Sequence, residues 1–213
     1  MVILVDNGHG KEVKGKHSPS LEDSGVYVPL EFVHDGRFRE WKYTRVIARM
    51  VVDVLKSYGH DARLLVPEES DISLGERVRR VNAICDKEGK SNVVLVSVHA
   101  NAVGDGRCWM NGCGWECYTT SGKTKSDDLA ELFYKRAESN FNGMRIRKDE
   151  KDGDSDKEAD FYILKNSKCP AVLTENFFYD NKNDLKYMVS DEGVQTVVRT
   201  HVEALLDYIP KKK

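Results

Sequence analysis

The sequence predicts an α/β fold, a three-layer α/β/α sandwich with a mostly parallel central sheet. Residues 2–6, 93–98 and 171–175 are apolar and rich in β-branched side chains, as in short strands that are buried on both faces of a parallel sheet. Segments with helical periodicity separate them, and strands that alternate with helices are typical of this class. A chain of 213 residues can bury a sizeable core. We therefore expect residues 1–213 to form a single domain.

The remaining elements are predicted from periodicity and from start and stop signals. A helix that opens near Glu40 carries apolar residues at spacings of three and four, and Gly59 marks its end. Ser73 and Glu76 have the capping-box spacing at the start of a second helix. Residues 10–39 are long for a simple connection, which is typical of functional loops. We expect further strands at 62–66, 114–119 and 161–164, further helices at 125–139 and 191–208, and a charged, solvated loop at 145–160.

Charge and composition argue against several classes of protein. A formal net charge of −2 does not suit a protein whose main partner is nucleic acid. No stretch approaches the roughly 20 apolar residues that span a bilayer, so we expect no membrane insertion. The first strand starts at residue 2, which leaves no room for a signal peptide in the chain as given, and we expect synthesis in the cytoplasm.

The five cysteines form an odd set in which no disulfide framework is evident. Cys108, Cys113 and Cys117 lie close together, but they lack a fourth ligand with zinc-site spacing. We expect ordinary loop and strand cysteines, with a Cys108–Cys113 link as the alternative.

Three predicted strands end in residues that suit a metal or a catalytic carboxylate. His9 follows the first strand, His99 ends the segment VVLVSVHAN, and Glu175 ends AVLTE. In open α/β sheets, ligands bind outside the carboxyl ends of the strands, so these three residues point to one shared site. Zinc in hydrolases takes three His or carboxylate ligands and keeps one position open for water. The pattern therefore predicts a hydrolytic zinc centre.

The residues alone leave alternatives open for each member of this centre. Either histidine could be a structural residue at a strand end. Glu40 is the best third ligand, because an acid on the sheet-facing side of a helix is unfavourable unless it is paired or binds metal. It could equally be a favourable charge at a helix N-terminus. Glu175 is better suited to a general base than to a ligand, since the apolar residues that follow would raise its pKa. Its alternative role is a strand-end acid bonded to a nearby N–H.

Six segments carry a family resemblance: DNGHG (6–10), REWKYTRVIARMVVDVLKSYGHDARLL (39–65), SLGERVRRVNAI (73–84), VSVHAN (96–101), GWECY (114–118) and PAVLTENFFYDNKNDLKYM (170–188). In this order they resemble the zinc-dependent N-acetylmuramoyl-L-alanine amidases, which include division and sporulation enzymes and phage lysins. The chain departs from the family pattern at Asn7, where members usually have Pro.

The resemblance implies a zinc-dependent peptidoglycan amidase with one Zn²⁺ per chain. His9, Glu40 and His99 match the zinc ligands of the family, with Glu31 as the alternative to Glu40, and Glu175 matches its catalytic carboxylate. The implied substrate is peptidoglycan, cleaved at the amide between N-acetylmuramic acid and L-alanine. A monomer that acts on the cell wall after lysis or delivery is expected, as a phage lysin or a secreted effector.

Two other functions remain open from the sequence. A zinc carboxypeptidase of similar architecture would use the same residue types, but it should also have an Arg that clamps a terminal carboxylate. A non-catalytic wall-binding module would keep the fold and lose Glu175 or a ligand, whereas all four residues are present here.

Overall fold

A mostly parallel sheet forms the centre of the protein. The computed structural model describes residues 1–151 and 153–209. Its strands are β1 (Val2–Asp6), β2 (Val33–His34), β3 (Arg37–Phe38), β4 (Asp61–Leu64), β5 (Val93–Asn101), β6 (Trp115–Thr119), β7 (Lys157–Glu158) and β8 (Ala171–Phe178). Six of them form one sheet with the order β4-β1-β5-β8-β6-β7, while β2 and β3 form a separate hairpin. Within this sheet β6 pairs with β8 antiparallel, and the other described pairings are parallel.

Helices cover both faces of this sheet, which confirms the three-layer α/β/α fold. They are α1 (Glu40–Ser57), α2 (Leu74–Glu88), α3 (Lys125–Asn140), α4 (Tyr162–Asn166), α5 (Lys182–Met188) and α6 (Asp191–Tyr208). The larger apolar core lies between one face and α1, α3 and α6. A smaller core lies between the other face and α2 and α4. In the described part of the chain, no helix has both the length and the apolar character needed to cross a membrane.

Strand register brings the polar residues of the smaller-core face together in two adjacent rows. Asp6 of β1 pairs with Ser97 of β5. His99, two residues further along β5, pairs with Glu175 of β8. Glu175 also pairs with Glu116 of β6. Because paired residues on adjacent strands point to the same side of a sheet, both rows lie on the face that α2 and α4 pack against.

Two local predictions were wrong. Residues 161–164 do not form a strand, because α4 spans Tyr162–Asn166 and packs Ile163 and Leu164 into the smaller core. Four apolar residues are too few to separate the two periodicities, so contact with α2 decides the conformation. The segment 145–160 is not uniformly solvated: it contains β7, and Asp156 is buried.

Candidate metal centre

Backbone geometry at the end of β1 places His9 next to His99. Gly8 has a φ of +56°, and a Cβ atom there would lie 3.0 Å from the Val98 carbonyl oxygen and 3.2 Å from the His99 ring. Only glycine tolerates both conditions easily. Arg45 of α1 donates from Nη1 to the His9 carbonyl oxygen at 2.7 Å. The ring centroids of His9 and His99 are therefore only 5.1 Å apart.

Glu40 enters the same site from the first turn of α1. Its backbone N–H donates to the Lys16 carbonyl oxygen at 3.2 Å, and the residue is 1% exposed. Its Oε1 atom accepts hydrogen bonds from Ala100 N at 3.2 Å and from His99 Nδ1 at 3.1 Å. Its Oε2 atom lies 3.7 Å from His9 Nε2 and has no hydrogen-bond partner. A buried carboxylate oxygen in that position is unfavourable unless a cation binds it.

The three predicted ligands thus lie together. One ligand atom from each of His9, Glu40 and His99 lies within 4.8 Å of the other two, and within the described ranges no other such group of His, Cys, Asp or Glu occurs. Two imidazole nitrogens and a carboxylate are a donor set that suits zinc. Glu31 is exposed in a short 3-10 helix outside this group.

The electrostatics of the three residues favour binding of a cation. Burial lowers the pKa of His9 to about 4, so its ring is neutral near pH 7. Burial opposes the charge of Glu40, but the hydrogen bond from His99 and the nearby imidazoles lower its pKa overall. Burial likewise opposes protonation of His99, yet the hydrogen bond to Glu40 raises its pKa. A carboxylate between two imidazoles can therefore exchange a shared proton for a metal ion.

A chain of buried polar groups orients His99, and sequence reasoning identified only part of it. His99 Nε2 lies 3.2 Å from Ser97 Oγ, which donates to Asp6 Oδ2 at 2.6 Å. Since the Ser97 hydrogen points to Asp6, Ser97 accepts from Nε2–H, and Nδ1 is the nitrogen that faces Glu40. Asp6 is in turn paired with Arg77 at 2.5 Å. The sequence pattern identified His99 but not Ser97 or Arg77, because only strand register and the packing of α2 bring these two residues to the site.

Glu175 borders the metal group from β8. Its Oε2 atom is buried and has no hydrogen-bond partner. Burial raises its pKa to about 8; the charge of His99 opposes this shift and that of Glu40 adds to it. The alternative role for Glu175 was a strand-end acid that accepts a hydrogen bond from a nearby N–H. Glu175 Oε2 accepts no such bond.

A cleft of about 390 Å³ opens beside these groups. His9, His99 and Glu175 line it, together with Asp6, Gly8, Val13, Lys16, Asp71, Ile72, Leu74, Arg77, Ser97, Phe161, Tyr162, Ile163 and Leu173. The long loop 10–39 contributes Val13 and Lys16, in keeping with a functional role. The cysteines predicted to be ordinary are free thiols, with Cys117 buried in β6 and Cys108 exposed.

Comparison with known proteins identifies the family. The family model described as N-acetylmuramoyl-L-alanine amidase matches residues 3–207. The chain belongs to the N-acetylmuramoyl-L-alanine amidase family. It is accordingly a peptidoglycan amidase by family and a hydrolase by class.

Individual relatives of this amidase are distant but cover nearly all of it. It is 26% identical to the endolysin of Bacillus phage SPP1, covering 100% of this chain and 67% of the endolysin. It is 25% identical to the N-acetylmuramoyl-L-alanine amidase CwlM of Bacillus licheniformis, covering 95% of this chain and 66% of CwlM. The chain therefore spans about two thirds of the length of these relatives. The crystal structure of an N-acetylmuramoyl-L-alanine amidase from Clostridium difficile 630 has the same fold, with a TM-score of 0.75 at 23% identity over 100% of this chain and 98% of that one.

Proposed function

We propose that residues 1–213 act as one catalytic domain, a zinc-dependent N-acetylmuramoyl-L-alanine amidase of the cell wall. His9, Glu40 and His99 hold one Zn²⁺, and Glu175 is the catalytic carboxylate. The protein acts as a monomer on peptidoglycan, which it reaches after synthesis in the cytoplasm. The scissile bond joins the lactyl group of N-acetylmuramic acid to L-alanine of the stem peptide.

The observation that carries this proposal is the environment of Glu40. Its carboxylate is almost completely buried, lies between two imidazoles, and keeps one oxygen without a hydrogen-bond partner. A charged helix N-terminus would explain an exposed acid, but it does not explain this burial. A bound divalent cation does.

Glu175 has the position and the proton affinity of an acid–base group. Bound zinc supplies a Lewis acid and lowers the pKa of water from 15.7 to about 7. Glu175, at the edge of the metal group, accepts the proton of the attacking water and returns it to the nitrogen of L-alanine. A pKa raised to about 8 by burial suits a group that accepts and then donates a proton near neutral pH. Leu74, Phe161 and Leu173 contribute apolar surface to the walls of the cleft.

A zinc carboxypeptidase is the second candidate, and one observation favours it. Arg147 bonds Glu116, the neighbour of Glu175 on the sheet, at 2.5 Å. An arginine in that position is the type of clamp such an enzyme needs for a terminal carboxylate.

Digestion of purified sacculi by the zinc-loaded protein tests the proposal. We expect new N-terminal alanine, released stem peptide and no new reducing sugar ends, with chelation abolishing the alanine signal and zinc restoring it. Release of single C-terminal amino acids would instead establish the carboxypeptidase. New reducing ends would establish a glycosidase, and no cleavage of any kind would leave a wall-binding module.

A further inference from the structure

A cluster of charged residues lies on the far side of Glu175 from the metal group. Glu116 of β6 is 2% exposed and accepts four hydrogen bonds. Its Oε1 atom accepts from Asn101 Nδ2 at 2.7 Å and from Tyr118 OH at 2.8 Å. Its Oε2 atom accepts from Arg147 Nε and from Lys157 Nζ, both at 2.5 Å. We call Glu116, Arg147 and Lys157 the β6 cluster.

Glu116 alone does not account for both cations of the β6 cluster. One carboxylate neutralises one of them, so the cluster has a net charge of +1. All four acceptor sites of Glu116 are used, whereas a guanidinium has five N–H donors and an ammonium has three. The Arg147 and Lys157 side chains remain 27% and 21% exposed. Both therefore keep donors for a second anion that approaches from solvent.

Aromatic contacts hold the two cations in place. The Arg147 guanidinium carbon lies 5.2 Å from the centre of the Phe178 ring, and Lys157 Nζ lies 5.8 Å from the centre of the Tyr118 ring. The ring of Phe161, in the cleft wall, packs against the Tyr118 ring with 5.1 Å between the ring centres. The β6 cluster is thus fixed beside the cleft, and a bound anion would lose little affinity to ordering of side chains.

The register locates the β6 cluster relative to the reaction. His99, Glu175 and Glu116 occupy the same row on three adjacent strands, and strands are spaced about 4.8 Å apart. Because Glu175 delivers its proton to the leaving nitrogen, the leaving peptide begins at Glu175. The next strand in the row, on the side away from the metal, belongs to the β6 cluster. A carboxylate on the residue after L-alanine is five covalent bonds from that nitrogen, or about 6 Å in an extended chain.

We propose that Arg147 and Lys157, held by Glu116, bind a carboxylate of the stem peptide on the residue that follows L-alanine. This subsite rests on the proposed function, and it makes the enzyme selective for stem peptides that carry a free carboxylate there over those that carry a carboxamide. Glu116 is then a positioning residue, which holds the two cations and limits their excess charge.

Two synthetic muropeptides that differ only at this group, carboxylate against carboxamide, test the proposal. The full zinc-loaded chain is assayed on each, and released peptide is quantified by mass spectrometry. We expect kcat/KM to be about tenfold higher for the carboxylate, which corresponds to about 1.4 kcal/mol. For each variant we compare the ratio of kcat/KM for the carboxylate to kcat/KM for the carboxamide. This ratio is unaffected by changes that alter cleavage of both substrates equally.

Four variants separate recognition from structural support. Arg147→Gln and Lys157→Gln should each lower the ratio toward one. Glu116→Gln should also lower it, because an amide NH2 in place of Oε2 cannot accept the hydrogen bonds that hold Arg147 and Lys157 in position. Lys148→Gln is the matched control, since Lys148 is adjacent in sequence and 27% exposed but pairs with Glu138. Its ratio should equal that of the unsubstituted chain.

The results distinguish failure of this subsite from failure of the proposed function. Equal cleavage of both muropeptides by the unsubstituted chain would overturn the subsite while leaving the amidase intact. So would an unchanged ratio in Arg147→Gln and Lys157→Gln with both rates reduced, since the cluster would then only support Glu116. Cleavage of neither muropeptide would overturn both. If Glu116→Gln does not fold, the two cation variants still decide the question.

Discussion

Removing the Ser97 hydroxyl should weaken zinc binding without removing any ligand. In Ser97→Ala, His99 loses the acceptor at 3.2 Å that orients its ring, and Asp6 loses the donor at 2.6 Å. The Asp6–Arg77 pair remains, so the buried charges stay balanced. The substitution therefore perturbs the orientation of one ligand and the satisfaction of one carboxylate oxygen.

The size of both effects follows from these contacts. Loss of a group that orients a metal-ligating histidine typically reduces metal affinity by about 10–100-fold. A buried acceptor left without its partner costs about 1–3 kcal/mol of stability. We therefore expect the zinc Kd of Ser97→Ala to rise by about 10–100-fold and its free energy of unfolding to fall by about 1–3 kcal/mol.

Competition with a chelating dye measures the zinc Kd, and urea unfolding of the zinc-free protein measures stability. Thr200→Val is the matched control, because the Thr200 hydroxyl is also buried, donates once at 2.8 Å and accepts once at 3.2 Å, but lies in α6 on the other face. It should lose stability and keep its zinc Kd. A Ser97→Ala protein with an unchanged zinc Kd would refute the claim that the Asp6–Ser97–His99 chain orients a metal ligand.

Three further outcomes are expected. Elemental analysis should show that His99→Ala no longer binds stoichiometric zinc and that Glu31→Gln still does. Full zinc occupancy in His99→Ala, or loss of zinc from Glu31→Gln, would refute the ligand set. Glu175→Gln should keep zinc and reduce kcat on sacculi by about 10²–10⁴-fold, whereas activity above about a tenth would make it structural. His201 is fully buried and its pKa is lowered by burial to about 4, so the unfolded state binds the proton first as pH falls. Neutral His201 therefore stabilises the folded state fully above about pH 6.5. As the pH falls toward 4, the free energy of unfolding should decrease by roughly 3 kcal/mol on account of this residue. Urea unfolding of His201→Gln should lack that part of the decline, and an identical pH profile would contradict it.

The sequence by itself determined the fold class and the site residues that lie at the ends of strands. Apolar β-branched runs specify buried parallel strands locally, and their carboxyl ends meet at one edge, so His9, His99 and Glu175 were predicted together. Helix periodicity likewise predicted the segment 191–208, which is the extent of α6. These predictions succeed because each depends on a pattern of apolar residues that lies entirely within one strand or helix.

The sequence did not determine which residues support the site, because those contacts join distant elements. Its helix position and a family resemblance favoured Glu40 over Glu31, but burial of the Glu40 carboxylate between the two histidines depends on the tertiary structure. Arg77 comes to the site only because α2 packs against the smaller-core face of the sheet.

The β6 cluster shows the same limit. Arg147 and Lys157 lie in a segment whose charge predicted solvation, yet both bond a buried carboxylate. The charge of a segment predicts only the average exposure of its residues. Whether one charged side chain forms an ion pair depends on which strand packs beside it in the folded protein. Register and helix packing, which sum many weak contacts over the whole chain, decided the electrostatics around the metal and Glu175.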